Sequence, residues 1–251
     1  MGSGASALSH TQYEQIVLVI WHGATFSDLE ETVPHTPQAW ALLNTRTGGG
    51  AGVEGSYLSI SSGARAIGVV GAGEVYNRDE NHNYELNSGL QSTAIVQPTI
   101  WSVMSGQTAD YTVKPGSLAA SLKEQGYTIA AYGNSDTNRT ARWAGTVATD
   151  FKGQVEEGNV GDGVLIFDDL QPFGVRTNYD ALLDLVQNST ANLVVVDLGD
   201  PYRLEEAGAA LWPDQYQLLR DEMVAEAREF LAELLQEMPE GRAVLVLSPH
   251  P

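Results

Sequence analysis

The chain has no cysteine among its 251 residues, and it has few basic side chains. The absence of cysteine excludes disulfides, thiolate metal sites and a cysteine nucleophile, and it leaves the redox compartment undetermined. Only 13 Lys and Arg stand against 32 Asp and Glu, a net charge of −19 that repels nucleic acid and anionic lipid surfaces. No apolar run approaches the roughly 20 residues of a membrane span. What is present is 43% hydrophobic residues, ample for a real core, in a chain long enough for one large domain or two small ones.

The two ends of the chain differ in character from the rest. Residues 1–12 are small and polar, which indicates a flexible leader of cloning origin rather than a signal peptide. The other end, AVLVLSPHP, has the pattern of a buried strand that enters a loop. We therefore expect residues 13–251 to form a single domain that is incomplete at its C-terminus and belongs to a longer protein.

Short apolar runs alternate with helical patterns along the chain. Runs without polar alternation are typical of strands covered on both faces, and strands alternating with helices predict a mostly parallel sheet between helices. The longest helical pattern begins at Pro213 and stops at a glycine. Residues 71–97 are predicted to be a surface excursion, and residues 144–160 a small hairpin. The predicted strands are IVLVI (16–20), AIGVV (66–70), TIAAY (128–132), VLIF (164–167), LVVV (193–196) and AVLVL (243–247). The other predicted helices are TPQAWALLNT, GSLAASLKEQG and NYDALLDLVQNS.

Acidic residues and histidines follow several of these predicted strands. Loops at the carboxyl ends of parallel strands converge on one edge of a sheet, where ligands bind. Oxygen and imidazole ligands in such numbers suit Zn, Mn or Mg, whereas the alternative is that Asp and Asn cap helices and form turns there. The residues are His22, Asp136, Asp168, Asp169, Asp197, Asp200 and His250.

A serine-rich stretch, GSYLSISSGARA (55–66), follows a triple glycine. It has the pattern of a loop entering a helix, whose free amides favour an anion. A serine becomes a nucleophile only beside a base or a metal. The pattern favours capping and close packing as the role of these serines over catalysis.

Five motifs follow one another along the chain: LLNTRTGGG, GSYLSISSGARA, AAYGNSDT, LVVVDLGDPYR and VLVLSPHP. Their order resembles that of the alkaline phosphatase superfamily, which includes phosphoglycerate mutases, nucleotide pyrophosphatases and sulfatases. The motifs are most similar to uncharacterised bacterial members whose phosphatase-like domain is joined to membrane-spanning segments. The resemblance implies an alkaline phosphatase-like core and a position on the extracytoplasmic face of a bacterial membrane.

Active members of that superfamily hold two metal ions with Asp and His and attack with a Ser or Thr at a helix start. On this resemblance, His22 stands where an Asp ligand is expected, and Val53 stands at the position of the nucleophile. A valine has no attacking atom, so Thr45 and Thr47 are the nearest hydroxyls that could substitute.

The later motifs are similarly altered. Asp197 and Asp200 are present but no His follows them, and His250 remains where the Asp of a final Asp-His-Gly is lost. Asp136 could face the same edge of the sheet. The candidate ligands that remain are fewer than two metal ions need. The resemblance therefore implies loss of hydrolysis and a role in binding, sensing or scaffolding, with no metal bound.

An active metal-dependent phosphoric or sulfuric ester hydrolase, or a phosphotransferase, is the alternative. In it, His22, Asp200 and His250 hold Zn or Mn, and Thr45 or Thr47 attacks.

Overall fold

The structure is a computed structural model that describes residues 13–30, 38–50, 52–80, 89–107, 113–236 and 239–249. The leader predicted for residues 1–12 lies outside these ranges, as does His250. The strands are β1 (Gln15–Ile20), β2 (Gly49–Gly50), β3 (Ile67–Gly68), β4 (Tyr76–Asn77), β5 (Ile95–Val96), β6 (Ile129–Tyr132), β7 (Gln154–Val155), β8 (Glu157–Asn159), β9 (Leu165–Phe167), β10 (Val175–Thr177), β11 (Leu193–Asp197) and β12 (Arg242–Leu247). The helices are α1 (Phe26–Glu30), α2 (Glu54–Ser62), α3 (Ile100–Ser105), α4 (Ser117–Glu124), α5 (Trp143–Ala148), α6 (Tyr179–Asn188), α7 (Gly199–Ala207) and α8 (Pro213–Gln236).

Five parallel strands form the central sheet in the order β12-β1-β11-β6-β8. Strand β1 lies between β11 and β12, and Val17 pairs with Val194 on one side and Val244 on the other. The predicted α/β class with a mostly parallel sheet between helices is confirmed. Strands β1, β6, β11 and β12 lie where their apolar runs predicted them.

Alternate residues of the central strands pack against different helices, as the two-residue period of a strand requires. One face packs against α2, α4 and α5 through residues such as Ile20, Tyr57 and Trp143. The other face packs against α6 and α8 through residues such as Val19 and Phe230. Coverage on both faces explains why these strands are apolar throughout.

The long helix α8 is confirmed, with proline at its first position. Its buried side chains recur every three or four residues and face the sheet or α7. They are Leu219, Met223, Ala227, Phe230, Leu231 and Leu234. The helices predicted from GSLAASLKEQG and NYDALLDLVQNS are also present, as α4 and α6.

Two local predictions were wrong, and the strands predicted at 66–70 and 164–167 are present only in part. The region 144–160 is not a hairpin, since it contains most of α5 and then β7 and β8. The run 164–167 contributes β9 to a separate antiparallel pair with β10, so Asp168 and Asp169 follow a strand outside the central sheet. The run 66–70 gives only the two-residue β3, paired with β2. The described residues 38–47 form no helix.

The predicted surface excursion is in part a second layer of structure. Strands β4, β5 and β7 form an antiparallel three-stranded sheet, and Val75 and Ile95 are fully buried. These strands are two residues long and carry no extended apolar run, so the sequence has no periodic pattern that predicts them. Among the helices of the described residues, none is both long and apolar enough to cross a membrane.

Candidate functional site

The carboxyl ends of β1, β11, β6 and β8 lie side by side, and we call the residues that follow them the carboxyl edge. His22 follows β1, Asp197 ends β11, and the loop that begins at Gly133 follows β6. At Gly133 the backbone φ is +113°, and a Cβ there would collide with the backbone of Asp197. Glycine therefore allows the 133–142 loop to close against β11.

His22 is buried, and both of its ring nitrogens have hydrogen-bond partners. Nε2 lies 2.7 Å from the Glu205 carboxylate, and Nδ1 lies 3.0 Å from the hydroxyl of Tyr57. In the neutral ring, Nε2–H donates to the carboxylate and Nδ1 accepts from the phenol. A metal ion needs a nitrogen lone pair, so it would have to displace Tyr57 or Glu205.

Tyr57 and Tyr202 pack against this histidine, and Trp143 packs against both tyrosines. Tyr57 stacks on Trp143 with ring centroids 4.4 Å apart, and the edge of Tyr202 meets both Trp143 and His22. All three aromatic residues are buried. Burial raises the pKa of Tyr57 well above its usual range, so its hydroxyl keeps its proton. Sequence reasoning missed this cluster, because single aromatic residues on three separate elements leave no local pattern.

Asp197 has no solvent exposure. The hydroxyl of Ser135 donates to its Oδ2 at 2.6 Å, while Oδ1 has no hydrogen-bond partner among the described residues. Burial raises the pKa of Asp197 to about 6, although the Ser135 hydroxyl, the charge of Arg203 and the backbone N–H of Trp143 oppose the shift. Because Oδ1 accepts no short hydrogen bond among the described residues, burying this carboxylate is unfavourable.

Asp200 forms a buried ion pair with Arg203, one turn along α7, at 2.6 Å. It also accepts the backbone N–H of Thr177 at 2.9 Å. Arg203 in turn donates to the backbone carbonyl of Asn134 at 2.7 Å and to the hydroxyl of Thr177. The Asp200–Arg203 pair thus joins α7 to β10 through Thr177 and, through Arg203, to the 133–142 loop.

Asp136 is held in a second arginine network. It lies 3.0 Å from Arg142, which also pairs with Glu80 at 2.7 Å, and it accepts the backbone N–H of Ala141 at 2.7 Å. These contacts anchor the 133–142 loop to the residues after β4.

The predicted helix after the glycine-rich loop is confirmed as α2, with Val53 at its N-cap. Val53 is buried and supplies no side-chain acceptor to the helix amides. The hydroxyl of Ser59 donates to the Gly55 carbonyl at 2.6 Å, and the Ser61 hydroxyl accepts the N–H of Gly116 at 2.9 Å. Both serines therefore bond to the backbone.

Thr47 lies against the first turn of α2, since its methyl side would contact any Cβ at Gly55. Its hydroxyl accepts the N–H of Gly49 at 3.3 Å. Thr45 is half-buried in the preceding segment. The side of Thr47 that faces Gly55 of α2 is its Cβ and methyl group, while its hydroxyl is bonded to Gly49.

A charged group that sequence reasoning missed lies beside the same helix start. Arg139, whose side chain is half exposed, donates to the Tyr202 hydroxyl at 3.0 Å and lies 3.4 Å from Oε1 of Glu54 and 3.6 Å from Glu206. Glu54 is the first residue of α2 and its side chain is only 6% exposed. Arg139 therefore links the 133–142 loop to α2 and α7.

The structure brings His22 and Asp197 into the same neighbourhood but holds Asp136 and Asp200 in separate arginine networks. Among the described residues, no group of three or more His, Cys, Asp or Glu side chains is arranged to hold a metal ion. A cavity of about 50 Å³ beside His22 is also lined by Glu205, Asp28 and Arg220.

No family model, curated protein or solved structure matches the chain.

Proposed function

We propose that this chain is a phosphatase-like domain of a larger, membrane-associated bacterial protein, and that it serves binding, sensing or scaffolding without hydrolysis. On this proposal the domain is related to the alkaline phosphatase superfamily and faces the extracytoplasmic side of the membrane. The support for the relationship is the order of the sequence motifs, together with a helix start that lies beside the carboxyl ends of a parallel sheet.

The loss of hydrolysis is supported by the hydrogen bonds and ion pairs that hold acidic and imidazole side chains at the carboxyl edge. His22 is held by Tyr57 and Glu205, Asp200 by Arg203, and Asp136 by Arg142. Two-metal phosphoryl transfer needs both ions close together, so that they neutralise the attacking and leaving oxygens. An arginine cation already paired with a carboxylate competes with a metal for that group, and the loss of several ligands at once costs far more than proportionally.

The position of Val53 supports the same proposal. It occupies the N-cap of α2, where the superfamily carries its nucleophile, and it packs in the core with Tyr57 and Trp143. Neither the attacking oxygen nor a base to activate one is supplied at this position.

An active hydrolase is the second candidate, because Thr47 contacts the first turn of α2. Its nearest described partner is the backbone N–H of Gly49, which donates to the hydroxyl and so does not activate it as a nucleophile.

A turnover screen tests the proposal. The purified chain is incubated with aryl phosphate, phosphodiester and sulfate esters, each with Zn²⁺, Mn²⁺ or Mg²⁺, beside its Thr47→Ala and His22→Ala variants. We expect the three proteins to give the same background rate. Steady turnover that disappears in Thr47→Ala would establish the second candidate instead.

A further inference from the structure

The start of α2 combines three features that no role described above explains. Its N-cap, Val53, provides no side-chain acceptor, although the first amides of an α-helix have no partner within the helix. The carboxylate of Glu54, the first residue of the helix, is buried, and no amide of α2 donates to it among the described residues. A half-exposed arginine, Arg139, approaches the same carboxylate from the 133–142 loop.

Glu54 is poorly satisfied for a buried charge. Its Oε1 lies 3.4 Å from Arg139, a long contact, and its Oε2 has no hydrogen-bond partner among the described residues. Burying a carboxylate in this way is unfavourable unless its surroundings supply positive potential. Here that potential comes from the N-terminus of a nine-residue helix and from the guanidinium group.

The carboxylate is directed back across the residue that precedes the N-cap. Oε2 of Glu54 lies so close to Gly52 that a side chain at that glycine would overlap it. Gly52 also has a φ of +62°, which favours glycine. The acid thus lies over the loop that enters the helix, where an anion bound to the helix amides would approach.

We propose that Glu54 is an internal occupant of an oxyanion site formed by the N-terminus of α2 and Arg139. The ligand class of the open site is a small tetrahedral oxyanion such as phosphate or sulfate. Because the carboxylate is tethered one residue from the N-cap, its effective concentration is far above that of a free anion, and it keeps the site closed. Opening requires the Glu54 side chain to swing out, which would release Arg139 to pair with the ligand.

This inference rests on the proposed function, since it explains why a phosphatase-like helix start would bind no phosphate. The two can fail separately. Ester turnover by the unaltered chain would overturn the proposed function, whereas the binding experiment below measures only the closed site.

Titration calorimetry with inorganic phosphate, repeated with sulfate, tests the closed site in the unaltered chain and in Glu54→Ala. We expect Glu54→Ala to bind at least about tenfold more tightly than the unaltered chain, a change worth about 1.4 kcal/mol. Adding Arg139→Ala to Glu54→Ala should remove that gain. Glu206→Ala is the matched control, because it frees Arg139 from a carboxylate that does not belong to α2; it should show no gain.

Circular dichroism and the thermal midpoint establish that each variant is folded, and Glu54→Gln supplies a variant of the same shape if the alanine variant unfolds. A folded Glu54→Ala or Glu54→Gln protein that binds phosphate no better than the unaltered chain would overturn the inference. An equal gain in Glu206→Ala would also overturn it, because the effect would then arise from Arg139 alone.

Discussion

His22 lies between Tyr57 and Glu205, with 3.0 Å separating Nδ1 from the phenol oxygen and 2.7 Å separating Nε2 from the carboxylate. This histidine, two residues after β1, is therefore bound on both sides by other side chains of the protein. The same applies to Asp200, which Arg203 and the Thr177 amide hold. At this edge of the sheet, the groups that could bind a ligand instead connect α2, α7 and the loops.

Tyr57→Phe tests the first of these contacts. Removing the hydroxyl leaves Nδ1 of a buried histidine without its donor, and we expect a loss of about 1–2 kcal/mol in the free energy of unfolding. Urea denaturation of the variant and the unaltered chain measures the loss. Tyr127→Phe, at a tyrosine that is 45% exposed, is the control and should change little. Equal stability of the two variants would contradict the assigned role of Tyr57.

Arg203→Ala tests the buried ion pair. The substitution leaves the Asp200 carboxylate buried without its cation, so we expect a loss of about 3–5 kcal/mol, measured by chemical denaturation. Arg176→Ala, at an arginine one third exposed that pairs with Glu226 at 3.3 Å, should cost less than about 1 kcal/mol. A small effect at Arg203 would mean that water or another group replaces the guanidinium.

Asp197→Asn tests the buried acid. Its pKa of about 6 is above the ordinary 3.8, so the native state holds a proton that the unfolded chain releases between those values. The stability that this proton contributes is complete below about pH 4 and is lost as the pH rises through 6, a change of about 3 kcal/mol.

Asparagine is uncharged at every pH and can still accept the Ser135 hydroxyl. Denaturation at pH 4.5 and pH 7.5 gives the difference in unfolding free energy between Asp197→Asn and the unaltered chain. We expect that difference to favour Asp197→Asn more at pH 7.5 than at pH 4.5, by up to that amount. Asp184→Asn, at an exposed carboxylate of α6, is the control. A difference between Asp197→Asn and the unaltered chain that does not change with pH would contradict the assignment.

Val53→Ser tests whether a missing hydroxyl alone explains the proposed loss of hydrolysis. It places an oxygen at the N-cap of α2 but supplies neither metal ligands nor a base, so we expect no phosphomonoesterase turnover above background with Zn²⁺ or Mn²⁺ added. Activity in this variant would mean that the carboxyl edge still assembles a metal centre.

The sequence predicts those parts of the fold that leave a local pattern along the chain. Strand β1 and helix α8 were predictable because their buried residues repeat with the period of the element. Strand β8 was not, since Glu157–Asn159 contains no apolar residue and joins the sheet only by pairing beside β6. His22, Asp197 and Asp200 could be placed near the edge by their positions after strands. The partners of His22 could not, because Tyr57 and Glu205 are 35 and 183 positions away from it in the chain.

The most direct test of the proposed loss of hydrolysis is to measure how much metal the chain holds. The protein is purified without chelators, loaded with zinc and manganese and desalted, and its metal content is then measured by plasma mass spectrometry. We predict no stoichiometric metal, because the carboxylates of Asp136 and Asp200 are paired with arginines and His22 has a partner on each nitrogen. About two ions per chain, lost together when His22 and Asp200 are replaced, would contradict the proposed loss of hydrolysis and support an active hydrolase instead.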